Sequence, residues 1–533
     1  MTTIAQRVVP LVAAAAVILT AAGCFPSRQA VYSDIEASRQ LAYKRWQEAT
    51  GDENLPKLDG KLGIVDAVKV ALGYNKSLRQ VEQAKEIARG QVMQAYSQGL
   101  PTIEFDANYT RLDQVETINF GTGSVSLGFV DNYNASFTIT KPLFKGAVLP
   151  AVRGANLFRY MSDESVRQAV QDVVLSVAND YYSVLLADEL YKVQQAALEF
   201  AEANLQNVLA REKQGVAIRY DELRAELEVS SVKSDLIHQR NQRSRALTAL
   251  LRDMGASQKS NIELTDALTY QPLAPALERA VQVAFSNRPD IISDELNVRL
   301  QREVLLGLWT NYLPKVEGWA TGGWAKPDPH DPTRNNWDDQ WQAGLRLTWI
   351  LFDGLNREGQ IIQQKAVARQ SVITLSDAEQ ALLQQVKNAI LDLADADELV
   401  QSQQLNLQQA NEALRLVQVG AREGVNTELQ MLDARSALTN ARGLYYQALY
   451  SHVTARLALQ RALGMMGPGP GKGDIPKEGP PLGEIKEFAP PAPEGTQPPA
   501  AAQPANGAQP AAATQPGEAQ PPAPAPRASE QKP

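Results

Sequence analysis

From Ala151 to Gln271, and again from Thr333 to Gly467, the chain contains no proline. Across both stretches apolar residues recur at spacings of three and four, as in Val166, Val170, Val173, Val177, Tyr181 and Val184. That period lays an apolar stripe along one side of an α-helix and predicts side-by-side helix packing. It predicts one helix over roughly Val148–Gln214 and another over roughly Asn356–Glu423, each about 100 Å long. Helices of that length are not the core of an ordinary globule.

Elsewhere the period falls to two, the signature of strands. In "TIEFDANYTR", Ile103, Phe105, Ala107 and Tyr109 face one way, and Glu104, Asp106, Asn108 and Thr110 the other. In "NYNASFTIT", Tyr133, Ala135, Phe137 and Ile139 oppose Asn134, Ser136 and Thr138. In "QWQAGLRLTW", Trp341, Ala343, Leu345, Leu347 and Trp349 oppose Gln342, Gly344, Arg346 and Thr348. The strand near Val316–Trp324 is less regular and glycine-rich. The pattern therefore predicts two hairpins of roughly ten-residue strands, with loops at about Leu112–Val130 and Ala325–Asp338.

Strands of about ten residues with one apolar and one polar face match a transmembrane β-barrel, apolar side to lipid and polar side to the lumen. Glu104, Asp106, Asn108, Gln342 and Arg346 are then candidate lumen-facing residues. Six of the seven tryptophans lie between Trp309 and Trp349, several at strand ends, where tryptophan marks a membrane interface. The alternative is a soluble sheet with one buried face. Eight strands is about the smallest closed barrel, and an open strand edge is not viable in lipid. Four strands per chain thus predict a barrel assembled from several chains, without giving their number.

The chain also repeats itself. At an offset of 209, Gly215 aligns with Gly424, Leu223 with Leu432, Ala225 with Ala434 and Gly255 with Gly464. "KPLFKG" (Lys141–Gly146) matches "WILFDG" (Trp349–Gly354), and "LPTIE" (Leu100–Glu104) matches "LPKVE" (Leu313–Glu317). Two repeats are expected, 61–265 and 266–466. Each breaks a long helix at a "G-V" turn, "GVAIRYDELRA" from Gly215 and "GVNTELQMLDA" from Gly424. The glycines supply the backbone freedom of a tight reversal, with Val216 and Val425 as exposed apolar neighbours.

The two ends are different materials. Arg7 precedes an apolar stretch, "VVPLVAAAAVILTAAG", too short and alanine-rich for a membrane helix. Residues 1–23 read as an export signal ending in "AAGC". Small residues before Cys24 resemble a lipobox, although Ala21 sits where Leu is commonest; an ordinary signal peptide with an incidental Cys is the alternative. Phe25, rather than an acid, follows the Cys, which favours the outer membrane. Residues 24–60 form a lipid-anchored N-terminal segment on this reading. The last stretch, 467–533, holds 18 of the 31 prolines and lacks the apolar residues for a core, so a disordered tail is expected.

Net charge is −8, so there is no global basic field for nucleic acid. Cys24 is the single cysteine, which excludes an intrachain disulfide framework and a cysteine-based zinc site. The three histidines, His238, His330 and His452, are far apart in sequence. No G-x-x-x-x-G-K-[ST] run and no Ser/His/Asp arrangement occurs, so neither an enzyme nor a cofactor is expected. In "KPDPHDPTRNNWDDQ" (Lys326–Gln340), Asp328, His330 and Asp331 invite a metal reading, but alternating prolines and acids favour turn chemistry.

The doubled helix–hairpin–helix plan, the "PLF.G" after the first hairpin (Pro142–Gly146, with Ile350 replacing the Pro in the second copy) and the "G-V…LDA" turn resemble the bacterial outer-membrane efflux proteins, the TolC-like channels. The resemblance covers about Leu62 to Gly464. It implies an α+β membrane fold and a homotrimer, with a twelve-strand β-barrel in the outer membrane and a twelve-helix α-barrel through the periplasm. It implies a passive, gated duct for multidrug, metal or type I protein export, serving a periplasmic adaptor and an inner-membrane transporter. It places the two turns at the periplasmic tip, where Gly215, Val216, Gly424 and Val425 meet the adaptor. Asp433 matches an acidic aperture position; the preceding one is Gln430 here. Asp221 matches an acid that pairs with a basic residue of the neighbouring turn. The usual Arg there is Asn426, so Arg422 or Arg219 is left to substitute. A periplasmic coiled-coil lipoprotein without a pore is the competing structural reading.

Overall fold

The computed structural model describes residues 27–47, 55–119, 121, 123–331 and 333–471. Helix α1 (Arg28–Gln47) and the short strand β1 (Asp59–Leu62) lead into helices α2 (Ile64–Tyr74) and α3 (Lys76–Ser97). Strands β2 (Thr102–Arg111), β3 (Glu116–Asn119), β4 (Ser124–Leu127) and β5 (Asp131–Phe144) follow. The first long helix is α4 (Val148–Lys213), turning into α5 (Arg219–Asp253) and strand β6 (Asn261–Leu264). The order then recurs: α6 (Leu277–Asn287), α7 (Pro289–Trp309), β7 (Lys315–Lys326), β8 (Asp338–Thr348), α8 (Asn356–Arg422) and α9 (Glu428–Ala462).

The two long helices end within a residue of the positions expected from periodicity. The strands run longer than ten residues where β5 and β7 extend to 14 and 12. The loop expected at Leu112–Val130 contains a small antiparallel hairpin, β3–β4, which the two-residue period over four positions is too short to announce. The boundary expected between 60 and 61 falls inside β1, which pairs in parallel with β6 some 200 residues later.

Strands β2, β5, β7 and β8 form one antiparallel sheet in that order, leaving β2 and β8 as edges. The helices that feed these strands keep the same order: α3 packs on α4, α4 on α7 and α7 on α8. Each strand leads directly into its helix, so the sheet and the helical wall form one continuous ribbon. Two antiparallel pairs, α4/α5 and α8/α9, extend beyond it, with α9 also resting on α4.

The core lies where a short helix covers each long one. Ala67, Val68, Ala71 and Leu72 of α2 pack over Val166, Val170, Val174 and Val177 of α4 and over Leu250, Leu251 and Met254. Ala280 and Ala284 of α6 pack over Leu382, Val386 and Leu393 of α8 and over Leu459 and Leu463. Two matched glycines close these joints. Gly255, at φ +67°, leaves no room for a Cβ, which would lie 2.4 Å from the Tyr74 carbonyl oxygen. Gly464, at φ +71°, would set a Cβ 2.9 Å from the Asn287 carbonyl.

A buried ion pair fastens the second joint. Arg167 is fully buried, pairs with Glu164 and donates to the carbonyls of Asn287 and Pro468. Glu164 also accepts from the Gly471 backbone N–H at 3.0 Å. A buried charge is tolerable when paired and hydrogen-bonded this fully.

Candidate functional site

The two helix reversals are built alike. At the end of α4 the Val216 N–H bonds the Arg211 carbonyl at 2.9 Å and the Gly215 N–H bonds Glu212 at 2.8 Å. At the end of α8 the Val425 N–H bonds Gly420 at 2.8 Å and the Gly424 N–H bonds Ala421 at 3.2 Å. Both are Schellman motifs, with Gly215 and Gly424 at φ +75° in the left-handed position that glycine occupies without strain. Val216 and Val425 are 63 and 78 % exposed. Ile218, Tyr220, Leu223 and Leu429 extend an uncovered apolar surface around the turns.

The next helices start with equivalent caps. Thr427 Oγ1 accepts from the Gln430 N–H and Gln430 Oε1 accepts from the Thr427 N–H at 2.9 Å, a reciprocal capping box. In the first turn Ile218 cannot accept by its side chain, but Asp221 still accepts from the Ile218 N–H at 3.2 Å. Gln430 and Asp221, expected at the aperture, are thus both engaged at the third helical position as local caps. Asp433 and Arg422 are exposed and have no ion-pair partner among the described residues. Arg219 pairs with Glu222 within its own helix instead of crossing to the other turn. Asn426 donates to the Val417 carbonyl at 3.2 Å and packs against Gly420, closing the last turn of α8.

Sequence reading missed the seam that joins these turns. Glu428, the first residue of α9, pairs with Arg211 of α4 at 3.1 Å and accepts from Asn204 Nδ2 at 3.3 Å. Farther along, Arg435 donates to the Ala196 carbonyl and stacks over the Phe200 ring at 4.7 Å. Burial, then the nearby Arg442, pulls the Arg435 pKa down. The signal was in the repeat: Glu428 stands where the first copy has Arg219, and Arg211 stands where the second has Gly420, so both links exist only on one side.

The sheet separates its faces cleanly. Ile103, Phe105, Trp341, Leu345 and Leu347 are exposed on one face, a large apolar surface for a single chain. Phe105 stacks on Phe137 and Tyr109 on Tyr133 across the β2–β5 pairing. The other face carries Glu104, Asp106 and Asn108 opposite Thr138, Ser136 and Asn134. It continues through Thr321, bonded to Thr138 at 3.0 Å, to Gln342 and Arg346 on β8. All five expected polar-face residues therefore lie on one surface.

In the β7–β8 loop Asp328 accepts from the backbone of His330 and Asp331, and Asp331 from Thr333, so both acids make turns. The groups that approach His330 are Asp328 and Asp338, at 3.8 and 3.5 Å; Asp331 is not the third member. Cys24 lies outside the described residues, as does nearly all of the proline-rich stretch.

No described helix is long and apolar enough to cross a membrane, which says nothing of strands. Comparison with known proteins agrees with the ribbon. The chain is 22% identical over 410 residues to the alkaline protease secretion protein AprF of Pseudomonas aeruginosa, covering 76% of this chain and 85% of that one. It is 21% identical over 405 residues to the outer membrane protein TolC of Escherichia coli, covering 74% and 80%. The Campylobacter jejuni CmeC outer membrane channel shares the fold with a TM-score of 0.65 at 16% identity, over 79% of this chain and 88% of that one. The pattern of the outer membrane efflux protein family matches residues 67–256 and 280–465, one match in each half. The chain belongs to the outer membrane efflux protein family.

Proposed function

We propose that three copies of this chain, each contributing two duplicated helix–hairpin–helix repeats, close into a twelve-strand barrel above a twelve-helix periplasmic conduit. The observation that carries this is the sheet: one apolar face, one polar face, and two unpaired edges at β2 and β8. Lipid satisfies the apolar face, and in lipid only another chain satisfies the edges. The polar face, with Glu104, Asp106, Asn108, Gln342 and Arg346, then lines a water-filled, mixed-charge lumen. The duct is passive and catalyses nothing. An inner-membrane transporter supplies the energy, and a periplasmic adaptor joins it to the tip through Val216 and Val425 beside Gly215 and Gly424.

The tip also holds the gate. Asp433 and Arg422 are free to face the aperture, while Asp221 and Gln430 stiffen the turns that carry them. The seam from Arg211 to Glu428 holds the α8/α9 pair against α4 until docking separates them. Cys24 carries lipid and anchors residues 24–60 in the outer membrane. Relatives named for protease secretion match over 410 and 427 residues and relatives named for efflux pumps over 306, all at 21–22% identity, so the cargo class is left to the pump.

The test is single-channel conductance of the purified protein in planar bilayers, with its assembly measured by native mass spectrometry. A trimer that conducts supports the duct. A trimer that never conducts favours the pore-less periplasmic lipoprotein.

A further inference from the structure

We infer that Trp319 is an aromatic contact point for planar cationic cargo on the wall of the duct, a reading that rests on the polar face of the sheet being the lumen. Its side follows from the register. Thr138 pairs with Glu104 on one side and with Thr321 on the other, and the Thr138 and Thr321 hydroxyls bond each other, so all three share a face. Trp319 is two residues before Thr321 in the same strand and so projects from that face too. Its partner Gly344 sits two residues before Arg346, again on the polar side.

The other five tryptophans of this region behave differently. Trp309, Trp324, Trp337, Trp341 and Trp349 are all exposed, from 45 to 80 %. Trp319 is half-buried because its ring lies over Gly344. A Cβ on Gly344 would come within 3.2 Å of Nε1 and 3.3 Å of Cε2 and Cζ2 of the indole. Glycine there gives the ring a flat seat. The ring has no aromatic or cationic partner among the described residues, and its face away from Gly344 is the one assigned to cargo.

The charge around it selects the partner. Glu317 precedes Trp319 by two positions on the same face, and Glu104 and Asp106 lie across Thr138 and Ser136. Arg346, paired in register with Glu317, and Lys315, two positions before Glu317 on the same face, are the opposing charges, two against the three carboxylates. An indole face among excess carboxylates attracts a delocalised cation and gives nothing to an anion. Trp319 is four residues from the start of β7, near the end where the strands join the helices, so cargo leaving the helical conduit meets it on entering the barrel.

The experiment is open-channel block of the trimer in planar bilayers by ethidium, a planar aromatic cation, with tetrapropylammonium as a non-aromatic control. Trp319→Ala should raise the ethidium concentration for half-block about fivefold, the size of a partly exposed cation–π contact. Trp319→Tyr should restore it, and block by tetrapropylammonium, which cannot stack on the ring and keeps its charge behind propyl chains, should move much less. Gly344→Val, which lifts the ring from its seat without removing it, should weaken ethidium block as well. Conducting trimers with native ethidium block in Trp319→Ala would overturn the assignment, and so would equal losses for both cations. A native trimer that never conducts would overturn the duct reading and this inference with it.

Discussion

Replacing Glu428 with alanine should loosen the seam that holds the two helical hairpins together at their turns. The pair with Arg211 is partly screened, its side chains being 54 and 29 % exposed, and contributes about 0.5–1 kcal/mol. The bond from Asn204 adds about 0.5–1 kcal/mol. A carboxylate in the first turn of α9 adds about 0.3–1 kcal/mol through the helix dipole at low salt. Together these make about 1.3–3 kcal/mol per protomer. In the proposed trimer, even the pair alone, multiplied across three chains, should shift the open-to-closed equilibrium by about 1.5–3 kcal/mol, or roughly 10- to 150-fold. Open probability in planar bilayers reads this directly. Glu428→Ala should raise it more than Arg211→Ala, and the double variant should fall short of the sum by the pair's coupling. The gain should shrink in 1 M salt, where the Debye length is about 3 Å. Intact trimers with unchanged open probability at low salt would refute the idea that this seam restrains opening.

Burial, reinforced by the neighbouring Asp253 carboxylate, pushes Asp180 up from 3.8 to about 6. A folded pKa above the unfolded one means stability is fully present below about pH 4 and is lost as pH rises through 6. Asp180→Asn should therefore stabilise the protein at pH 8 by up to about 3 kcal/mol and change nothing at pH 3.5, checked by thermal unfolding across pH. Gly255→Ala should prevent correct folding, because its Cβ meets the Tyr74 backbone, whereas Gly424→Ala faces open space and should cost only about 1–2 kcal/mol of left-handed strain; yields of folded trimer compare the two. Val425→Glu should abolish export in cells while leaving trimers in the membrane, and normal export would argue against adaptor docking there. Cys24→Ala should lose radioactive fatty-acid labelling, and equal labelling of both forms would remove the lipid anchor.

The relation between sequence and structure differs from element to element. The long helices were legible because about 18 turns of unbroken apolar spacing leave no other regular conformation. The strand faces were legible for the same reason at period two: Glu104, Asp106 and Asn108 alternate strictly with apolar neighbours. The reversals at Gly215 and Gly424 announced themselves because the repeat printed them twice.

Other features depend on which distant residues meet. Thr427 three residues before Gln430 is a local capping signature, but Ile218 stands at the matching position before Asp221, so only the direction of the helix start shows that acid to be a cap. Glu428 reads as an ordinary surface acid until α9 is laid against α4 and Arg211 arrives beside it. Trp319 sat in the one strand whose alternation was broken by glycines, so its side could not be assigned until β5 and β7 were paired through Thr138 and Thr321. Sequence periodicity thus determined the elements and their faces, because those follow from local geometry repeated many times. The partners of single side chains were decided only by the tertiary structure, because contacts across 46 to 307 residues of chain carry no local signature.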